Sequence, residues 1–413
     1  MAMFSMISLG SIAQGGNNES GFGFNGYTSF GYGNNYETVR NPIHENERKY
    51  NFAFVPSSGD GINAIESHGV ISKLTCTDIV SSEQVELIFA LAKEFPENTE
   101  ISIALINDGR VSFYGLKRQN NTFINIDNHS SVFEIGSITK VFTATLLASY
   151  VNDGMLNLED HIDNYLPFDM NDNIHISFRE LANHTSGLPR IPSNMALSSR
   201  LSAKNPYKDY SEDKLEDYLR GKAKVTDQSE SFSYSNLGFG LLGYVLSKIE
   251  NKIYNDLLHE KIFSEYGMTN SSTIRSEFES DLVCGLNKNG FKTPNWDFAS
   301  MESAGAVLST TEDLSKFAVA QFDESDKDLA LTRELTFTIN ENEAIGLGWF
   351  IERAGSGEII CRHKGVTGGY TSAMAIDIQK ETGVIILSNV SGFSKRAKII
   401  DTLCFDLLVA VSK

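Results

Sequence analysis

A serine and a lysine three residues apart, Ser137 and Lys140, begin the segment of this chain that is best suited to catalysis. The pattern after Gly136 is helical, with apolar positions at Val141, Leu146, Leu147 and Tyr150. Residues three apart lie on one face of a helix. A hydroxyl needs an adjacent base to become a nucleophile, and a lysine in apolar surroundings can lose its proton. We therefore predict that Ser137 is a nucleophile activated by Lys140, at a helix start that favours an oxyanion.

The S-x-x-K spacing by itself is a weak signal, because about two matches are expected by chance in a chain of this composition. A second match runs from Ser211 to Lys214 and stands among acidic residues. We interpret this second match as solvated surface.

A tyrosine and an asparagine at another element boundary supply the next candidates. Tyr234 and Asn236 lie where a loop gives way to an apolar helix. A phenolate beside Lys140 could take the serine proton and return it to a leaving group. We expect Asn236 to hydrogen-bond both Lys140 and a substrate amide. The alternative is a buried tyrosine with an ordinary helix-capping asparagine, and the same spacing recurs from Tyr32 to Asn34.

The third candidate is an H-x-G motif, His363 to Gly365, on or beside a predicted strand. Gly365 would let a substrate backbone lie against that strand. The backbone amide of Val366 would pair with that of Ser137 as an oxyanion hole. We expect His363 to supply a hydrogen-bond donor to the cleft, although a single histidine on a strand is often structural.

Composition limits the partners and cofactors. The 413 residues include 41% hydrophobic and 21% charged residues, as in an ordinary globular protein. The net charge of −18 repels nucleic acid and anionic lipid, so the predicted partner is a small-molecule or peptide substrate. Four scattered cysteines and eight dispersed histidines show no metal-ligand spacing, and we predict no metal and no cofactor. The oligomeric state is left open.

The first 75 residues differ from the rest. Residues 10–36 alternate glycine and asparagine with interleaved aromatic side chains, a composition that does not pack by itself. We predict that residues 1–75 form an arm that is either flexible or docked on the body as an aromatic flap. No clear secretory signal is present, which favours a cytoplasmic location over export, although residues 11–13 would serve as a cleavage site. No stretch reaches the ~20 apolar residues of a membrane span.

The elements that must position these residues indicate an α+β fold for residues 76–413. An amphipathic helix from Ser82 precedes a strand at residues 101–106, and Asp108-Gly109 predicts a hairpin turn. Four further strands and a helix of about 394–410 end the chain. We predict one antiparallel sheet built from residues 76–136 and 320–413 and sandwiched by the first and last helices. Residues 137–319 would form a mostly helical second lobe, with the site between the lobes.

Taken together, the three motifs resemble the class C β-lactamase-like family of penicillin-recognising serine hydrolases. The likeness runs from about residue 82 to the C-terminus. Further matching segments are Gly154 to Pro167, Ile176 to Pro189, Tyr266 to Asn270, Ser303 to Leu314 and Gly346 to Trp349. The resemblance implies the β-lactamase/transpeptidase-like fold and an acyl-enzyme on Ser137, with Lys140 and Tyr234 as the base pair.

One departure from the family narrows the expected function. Dedicated class C β-lactamases resemble K-T-G at the third motif, where this chain has His363, and Lys364 should point away from the cleft because strands alternate faces. Histidine there looks more like the peptidases and esterases of the family. We therefore expect a peptidase or amidase acting on D-amino-acid or peptidoglycan-like peptides. The alternatives are a carboxylesterase, a weak β-lactamase and a non-catalytic protein that binds peptide or cell wall.

Overall fold

The computed structural model describes most of the chain from residue 65 onward. The described residues are 65–67, 69–77, 80–171, 174–196, 199, 204–225, 231–353 and 358–411. The predicted N-terminal arm, with its aromatic flap, lies almost wholly outside them. The site candidates from Ser137 to Val366 all lie within them.

Among the described residues, eleven strands form one sheet and two short strands form a second. The strands, in chain order, are β1 (Ile65–Ser67), β2 (Val70–Ser72), β3 (Glu100–Asn107), β4 (Arg110–Gln119), β5 (Thr122–Ile126), β6 (Phe133–Glu134), β7 (Leu308–Ser309), β8 (Phe337–Thr338), β9 (Glu343–Ile345), β10 (Phe350–Arg353), β11 (Ile359–Val366), β12 (Thr371–Asp377) and β13 (Thr382–Ser388). The large sheet has the order β1-β2-β5-β4-β3-β13-β12-β11-β10-β9-β8, and β6 pairs with β7.

The large sheet is built from both ends of the chain, as predicted. Strand β3 pairs antiparallel with β13, from Ile101 opposite Ser388 to Ile106 opposite Gly383. The predicted hairpin turn joins β3 to β4, and Asp108 has the positive φ of 52° that such a turn requires. One pair departs from the prediction, because β2 runs parallel to β5. The sheet also includes β1 and β2, which lie before residue 76, outside the predicted sheet lobe. Each is only three residues long, too short to show an alternating pattern in the sequence.

The helices cover the two faces of this sheet unequally. In chain order they are α1 (Ser82–Ala92), α2 (Thr139–Asn152), α3 (Phe178–Ala182), α4 (Glu212–Gly221), α5 (Asn236–Glu250), α6 (Tyr254–Leu258), α7 (Thr311–Ala320), α8 (Lys327–Arg333) and α9 (Lys398–Val411). Alternate residues of β13 divide between two cores: Val384 and Ile386 pack with α1 and α9, whereas Ile385 and Leu387 face the helical lobe. The prediction that the first and last helices sandwich the sheet is therefore wrong. Both lie on one face, and the helical lobe covers the other.

Helix α2 is the centre of the helical lobe. All of its residues from Thr139 to Tyr150 are buried, so the helix has partners on every side. Helix α5 packs against the segment at residues 299–304 through small residues: a Cβ added at Gly243 would lie 2.2 Å from the Cβ of Ser303. This close packing places the backbone of residues 303 and 304 against α2, where the site is built. No helix in the described part of the chain has the length and apolar character needed to span a membrane.

Candidate active site

Ser137 lies on a tight turn between β6 and α2. Residues Gly136–Ile138 form one 3-10 turn, so Ser137 sits immediately before the α-helix rather than in its first turn as predicted. Gly136 has φ +52°, and a Cβ there would lie 2.7 Å from the backbone nitrogen of Val366. A Cβ at Gly365 would lie 1.8 Å from the carbonyl oxygen of Ile135. The two glycines therefore allow the serine turn and β11 to meet backbone to backbone, as the predicted oxyanion hole requires.

Lys140 is fully buried one turn further along. Its Nζ lies 3.0 Å from Ser137 Oγ and donates to the carbonyl oxygen of Ala304 at 2.6 Å. Burial lowers the pKa of Lys140 well below its usual range, and the positive charge of Arg190 lowers it further. The predicted serine–lysine pair is thus brought within hydrogen-bonding distance.

Tyr234 completes the predicted trio from the loop before α5. Its ring centroid lies 5.0 Å from Lys140 Nζ and 5.0 Å from the guanidinium carbon of Arg190. The ring also packs against His184, with centroids 4.3 Å apart, and stacks on Phe350 at 6.4 Å. These contacts place the aromatic ring of Tyr234 beside Lys140.

Asn236 is the first residue of α5 and is buried. The predicted hydrogen bond between Lys140 and Asn236 is not formed, because Lys140 Nζ bonds Ser137 and Ala304 instead. Asn236 Nδ2 donates to the Tyr207 hydroxyl at 2.8 Å. Its Oδ1 is buried and has no partner among the described residues. The amide oxygen therefore remains available to a donor on a substrate.

His363 faces the helical lobe from β11, and its hydrogen bonding corrects a prediction. The Nδ1–H donates to the carbonyl oxygen of Lys364 at 2.9 Å, which places the proton on that nitrogen in the neutral ring. Burial, followed by the charge of Lys140, lowers the pKa of His363 to about 3. The other nitrogen, Nε2, is buried without a partner among the described residues. His363 therefore presents an acceptor to the cleft rather than the donor that we predicted.

The neighbour of His363 points the other way, as strand alternation predicts. Lys364 Nζ lies 3.3 Å from the carboxylate of Asp401 on α9, which covers the opposite face of the sheet. The lysine that follows the histidine is therefore directed away from Ser137.

Two further residues at the site, His184 and Arg190, were not singled out from the sequence. His184 is buried with φ +63°, and its Nδ1 accepts a hydrogen bond from the Ser235 backbone at 3.1 Å. Its Nε2 then carries the proton and is buried without a partner among the described residues. Burial, then Lys140, His363 and Arg190, lower the pKa of His184 well below its usual range. His184 belongs to the Ile176 to Pro189 segment, and Arg190 directly follows it. That segment was noted in the sequence only for its likeness to a family.

A cavity of about 1110 Å³ lies beside the site rather than on the serine. Its lining includes Glu134, Trp296 and Phe298 but none of the seven predicted site residues. The ring of Tyr207 stacks on Phe298 at 5.1 Å, and its hydroxyl accepts from Asn236, so Tyr207 lies between a residue of the cavity wall and a residue of the site. Burial raises the pKa of Glu134 to about 7.

Comparison with known proteins identifies the family of the chain. The family model described as Beta-lactamase matches residues 89–406, which is more than half of the chain. The chain therefore belongs to the β-lactamase family of serine hydrolases. "Protein flp" of Staphylococcus aureus (strain COL) is 26% identical over 278 residues, covering 63% of this chain and 53% of that protein. "Penicillin-binding protein 4*" of Bacillus subtilis (strain 168) is 26% identical over 283 residues, covering 63% and 61%. The chain thus spans about half to three fifths of the length of these relatives.

Solved structures show the same fold. A β-lactamase/D-alanine carboxypeptidase from Yersinia pestis has a TM-score of 0.66 at 24% identity, covering 80% of this chain and 98% of that one. A class C β-lactamase from Rhodobacter sphaeroides has a TM-score of 0.66 at 20% identity, covering 81% and 100%. An octameric penicillin-binding protein homologue from Pyrococcus abyssi has a TM-score of 0.65 at 24% identity, covering 80% and 76%. The predicted β-lactamase/transpeptidase-like α+β fold is confirmed.

Proposed function

We propose that the chain is a peptidase or amidase that works through an acyl-enzyme on Ser137 and acts on D-amino-acid or peptidoglycan-like peptides. The observation that carries this proposal is the 3.0 Å separation between Ser137 Oγ and the buried amine of Lys140. Burial of the amine disfavours its charged form and lowers the pKa of Lys140. The neutral amine provides the base that a serine nucleophile needs.

The hydrogen bonds of Lys140 support the direction of proton transfer. A neutral amine has two N–H groups and one lone pair, and the carbonyl oxygen of Ala304 can only accept. One N–H is therefore used at Ala304, and the lone pair can be directed at the Ser137 hydroxyl. In the acylation step the serine oxygen bonds the substrate carbonyl carbon while its proton moves to Lys140 Nζ.

Tyr234 and two backbone amides supply the remaining roles in this proposal. Tyr234 lies beside Lys140 and can pass a proton to the leaving nitrogen, so the amine departs neutral. The amides of Ser137 and Val366 would hold the negative oxygen, and the close approach of Gly136 to Val366 supports that pairing. Water then attacks the acyl-enzyme, and the same groups act in reverse.

The choice of substrate is supported by the polar atoms that the site leaves unpaired. Asn236 Oδ1 accepts and the proton-bearing Nε2 of His184 donates, which is the pair of groups that a peptide amide can satisfy. The guanidinium of Arg190, over the Tyr234 ring, places positive charge where a free carboxylate of a peptide could be bound. The names of two similar proteins, a penicillin-binding protein and a D-alanine carboxypeptidase, are consistent with this class.

A substrate panel tests the proposal. Release of D-alanine from D-Ala-D-Ala peptides is compared with turnover of p-nitrophenyl acyl esters and of a penicillin, for the unaltered chain and for Ser137→Ala. The serine of the second S-x-x-K match provides the control variant Ser211→Ala. We expect peptide turnover that Ser137→Ala abolishes and Ser211→Ala leaves unchanged. Turnover of esters alone would replace the peptidase with an esterase, and no turnover of any substrate would favour a binding protein.

A further inference from the structure

A cluster of two histidines and an aspartate lies on the helical lobe, apart from the active site. His161 and Asp163 belong to one segment and His175 to another, and within the described residues their ligand atoms all lie within 4.8 Å of one another. His175 Nδ1 is 3.2 Å from Asp163 Oδ2, and the two imidazole rings have centroids 5.5 Å apart. Two nitrogen donors and one carboxylate are thus gathered at one point.

From this juxtaposition we propose that His161, Asp163 and His175 bind one divalent transition-metal ion, with Zn²⁺ as the best-suited ion. Imidazole and carboxylate ligands suit zinc, and three protein ligands leave a position for water. Tetrahedral ligand atoms about 2.0–2.2 Å from an ion are about 3.3–3.6 Å from each other. The Asp163 to His175 distance of 3.2 Å is close to that range, and the exposed ring of His161 has room to adjust.

The carboxylate of Asp163 adds an independent observation. Its Oδ1 is buried and has no hydrogen-bond partner among the described residues, although the side chain as a whole is 24% exposed. Buried polar atoms are normally paired, so a buried carboxylate oxygen without a partner, on a side chain that lies beside two imidazoles, is available as a ligand. The net charge of −18 also favours a cation over an anion at this place.

The backbone holds the two ligand segments together. Ile162 donates from its backbone nitrogen to the carbonyl oxygen of Ile176 at 2.9 Å, and His161 pairs with Ser177 in an antiparallel bridge. Ser177 is the N-cap of α3, which leads directly to His184 at the active site. An ion bound here would tie both segments together and stabilise the start of α3. The motif was missed in the sequence because twelve residues separate Asp163 from His175.

The test is metal titration of the full chain after treatment with a chelator. Calorimetry with Zn²⁺, Ni²⁺, Mg²⁺ and Ca²⁺ is compared for the unaltered chain and for His175→Gln and Asp163→Asn. His129→Gln is the matched control, since His129 is a half-buried histidine that lies near the carboxylates of Asp127, at 2.5 Å, and Glu312, at 3.9 Å, but outside the cluster. We expect one equivalent of Zn²⁺ for the unaltered chain and the control. Each site variant should lose affinity by roughly tenfold or more, because a ligand is missing.

Two further readouts do not depend on the variants or on activity. Co²⁺ should give the strong visible absorption of a four-coordinate nitrogen and oxygen site, and Zn²⁺ should raise the melting temperature of the unaltered chain. The proposal is overturned if the Co²⁺ spectrum is that of the hydrated ion, or if Zn²⁺ binds equally well to both site variants. Equal affinity for Mg²⁺ and Ca²⁺ would also overturn it, because that pattern marks a non-specific acidic surface.

Discussion

The two faces of β11 carry buried polar side chains that differ in whether their polar atoms have partners. On the face under α9, Arg362 donates to Glu343 at 2.5 Å and to Glu352 at 2.9 Å, so the cation is matched by two carboxylates. On the face toward the helical lobe, His363 has one ring nitrogen buried without a partner. Adjacent residues of one strand therefore show a completed polar network and an incomplete one.

The incomplete network extends across the site. Asn236 Oδ1 and His184 Nε2 are also buried without partners among the described residues, and Lys140 has a pKa well below its usual range. Buried polar groups are normally paired, because an unmet hydrogen bond costs about 1–3 kcal/mol. We infer that the face of β11 with fully paired polar side chains maintains the fold, and that the face with unpaired polar atoms binds a ligand. Four substitutions test this difference between the two faces.

Replacing Lys140 should have the largest effect. Lys140→Met removes the base, so kcat/KM should fall on the order of 10³-fold or more. The free energy of unfolding should rise at neutral pH, because the unfolded chain holds a proton on Lys140 that folding must release. That gain should shrink as the pH rises toward 10.5, the usual pKa of lysine. Initial rates and urea unfolding at several pH values measure both effects, and retained activity would contradict the assignment.

The pH profile of the unaltered chain gives a companion measurement. Activity needs neutral Lys140, so kcat/KM should rise with pH through a pKa below 10.5. A profile that falls with pH over the same range would count against the lysine as base.

Arg362→Met should lower the stability of the protein and leave its activity nearly unchanged, which is the opposite of the effect of Lys140→Met. It leaves the carboxylates of Glu343 and Glu352 buried without their cation, which should cost about 3–5 kcal/mol of unfolding free energy. Burial already raises the pKa of Glu343, so part of this loss should be recovered at low pH. In the fraction that remains folded, kcat/KM should be within a few-fold of the unaltered value. A loss of activity without a loss of stability would reverse the assignment of the two faces.

His363→Gln should have a smaller effect on activity, about tenfold, because a glutamine can still present an acceptor to the cleft. Its clearer effect is on the stability of the protein at acid pH. The pKa of His363 is about 3 when folded and about 6.5 when unfolded, so the unfolded chain binds the proton first and stability falls as the pH drops through that range. The variant should lose part of this slope, and the buried His184 should account for another part. Melting temperatures from pH 7 to pH 4 provide the check.

Lys364→Ala should have the smallest effect. The ion pair with Asp401 is about one third exposed on both sides, and such pairs contribute about 0–1 kcal/mol. We expect a change in unfolding free energy within that range and unchanged kcat/KM. A large loss of activity would show that Lys364 takes part in substrate binding after all.

Much of the fold and most of the site could be predicted from the sequence. The apolar runs of β3 and β13, the amphipathic pattern of α1 and the turn at Asp108 indicate the sheet, and the S-x-x-K spacing at the start of an apolar helix indicates the serine–lysine pair. The placement of α1 and α9 on one face could not be predicted, because an amphipathic pattern says that a helix has a buried side without saying which layer it covers. The proton position on His363 depends on the carbonyl of its neighbour, and the role of His184 depends on an unusual backbone conformation.

Intact-mass spectrometry with a fluorophosphonate probe measures whether Ser137 is a nucleophile activated by Lys140. We expect a single adduct per chain, mapped to Ser137. The adduct should be absent in Ser137→Ala and should form far more slowly in Lys140→Met. Labelling of a different serine, or labelling of Lys140→Met at the unaltered rate, would contradict the account, because the activated pair of Ser137 and Lys140 would then have no chemical consequence.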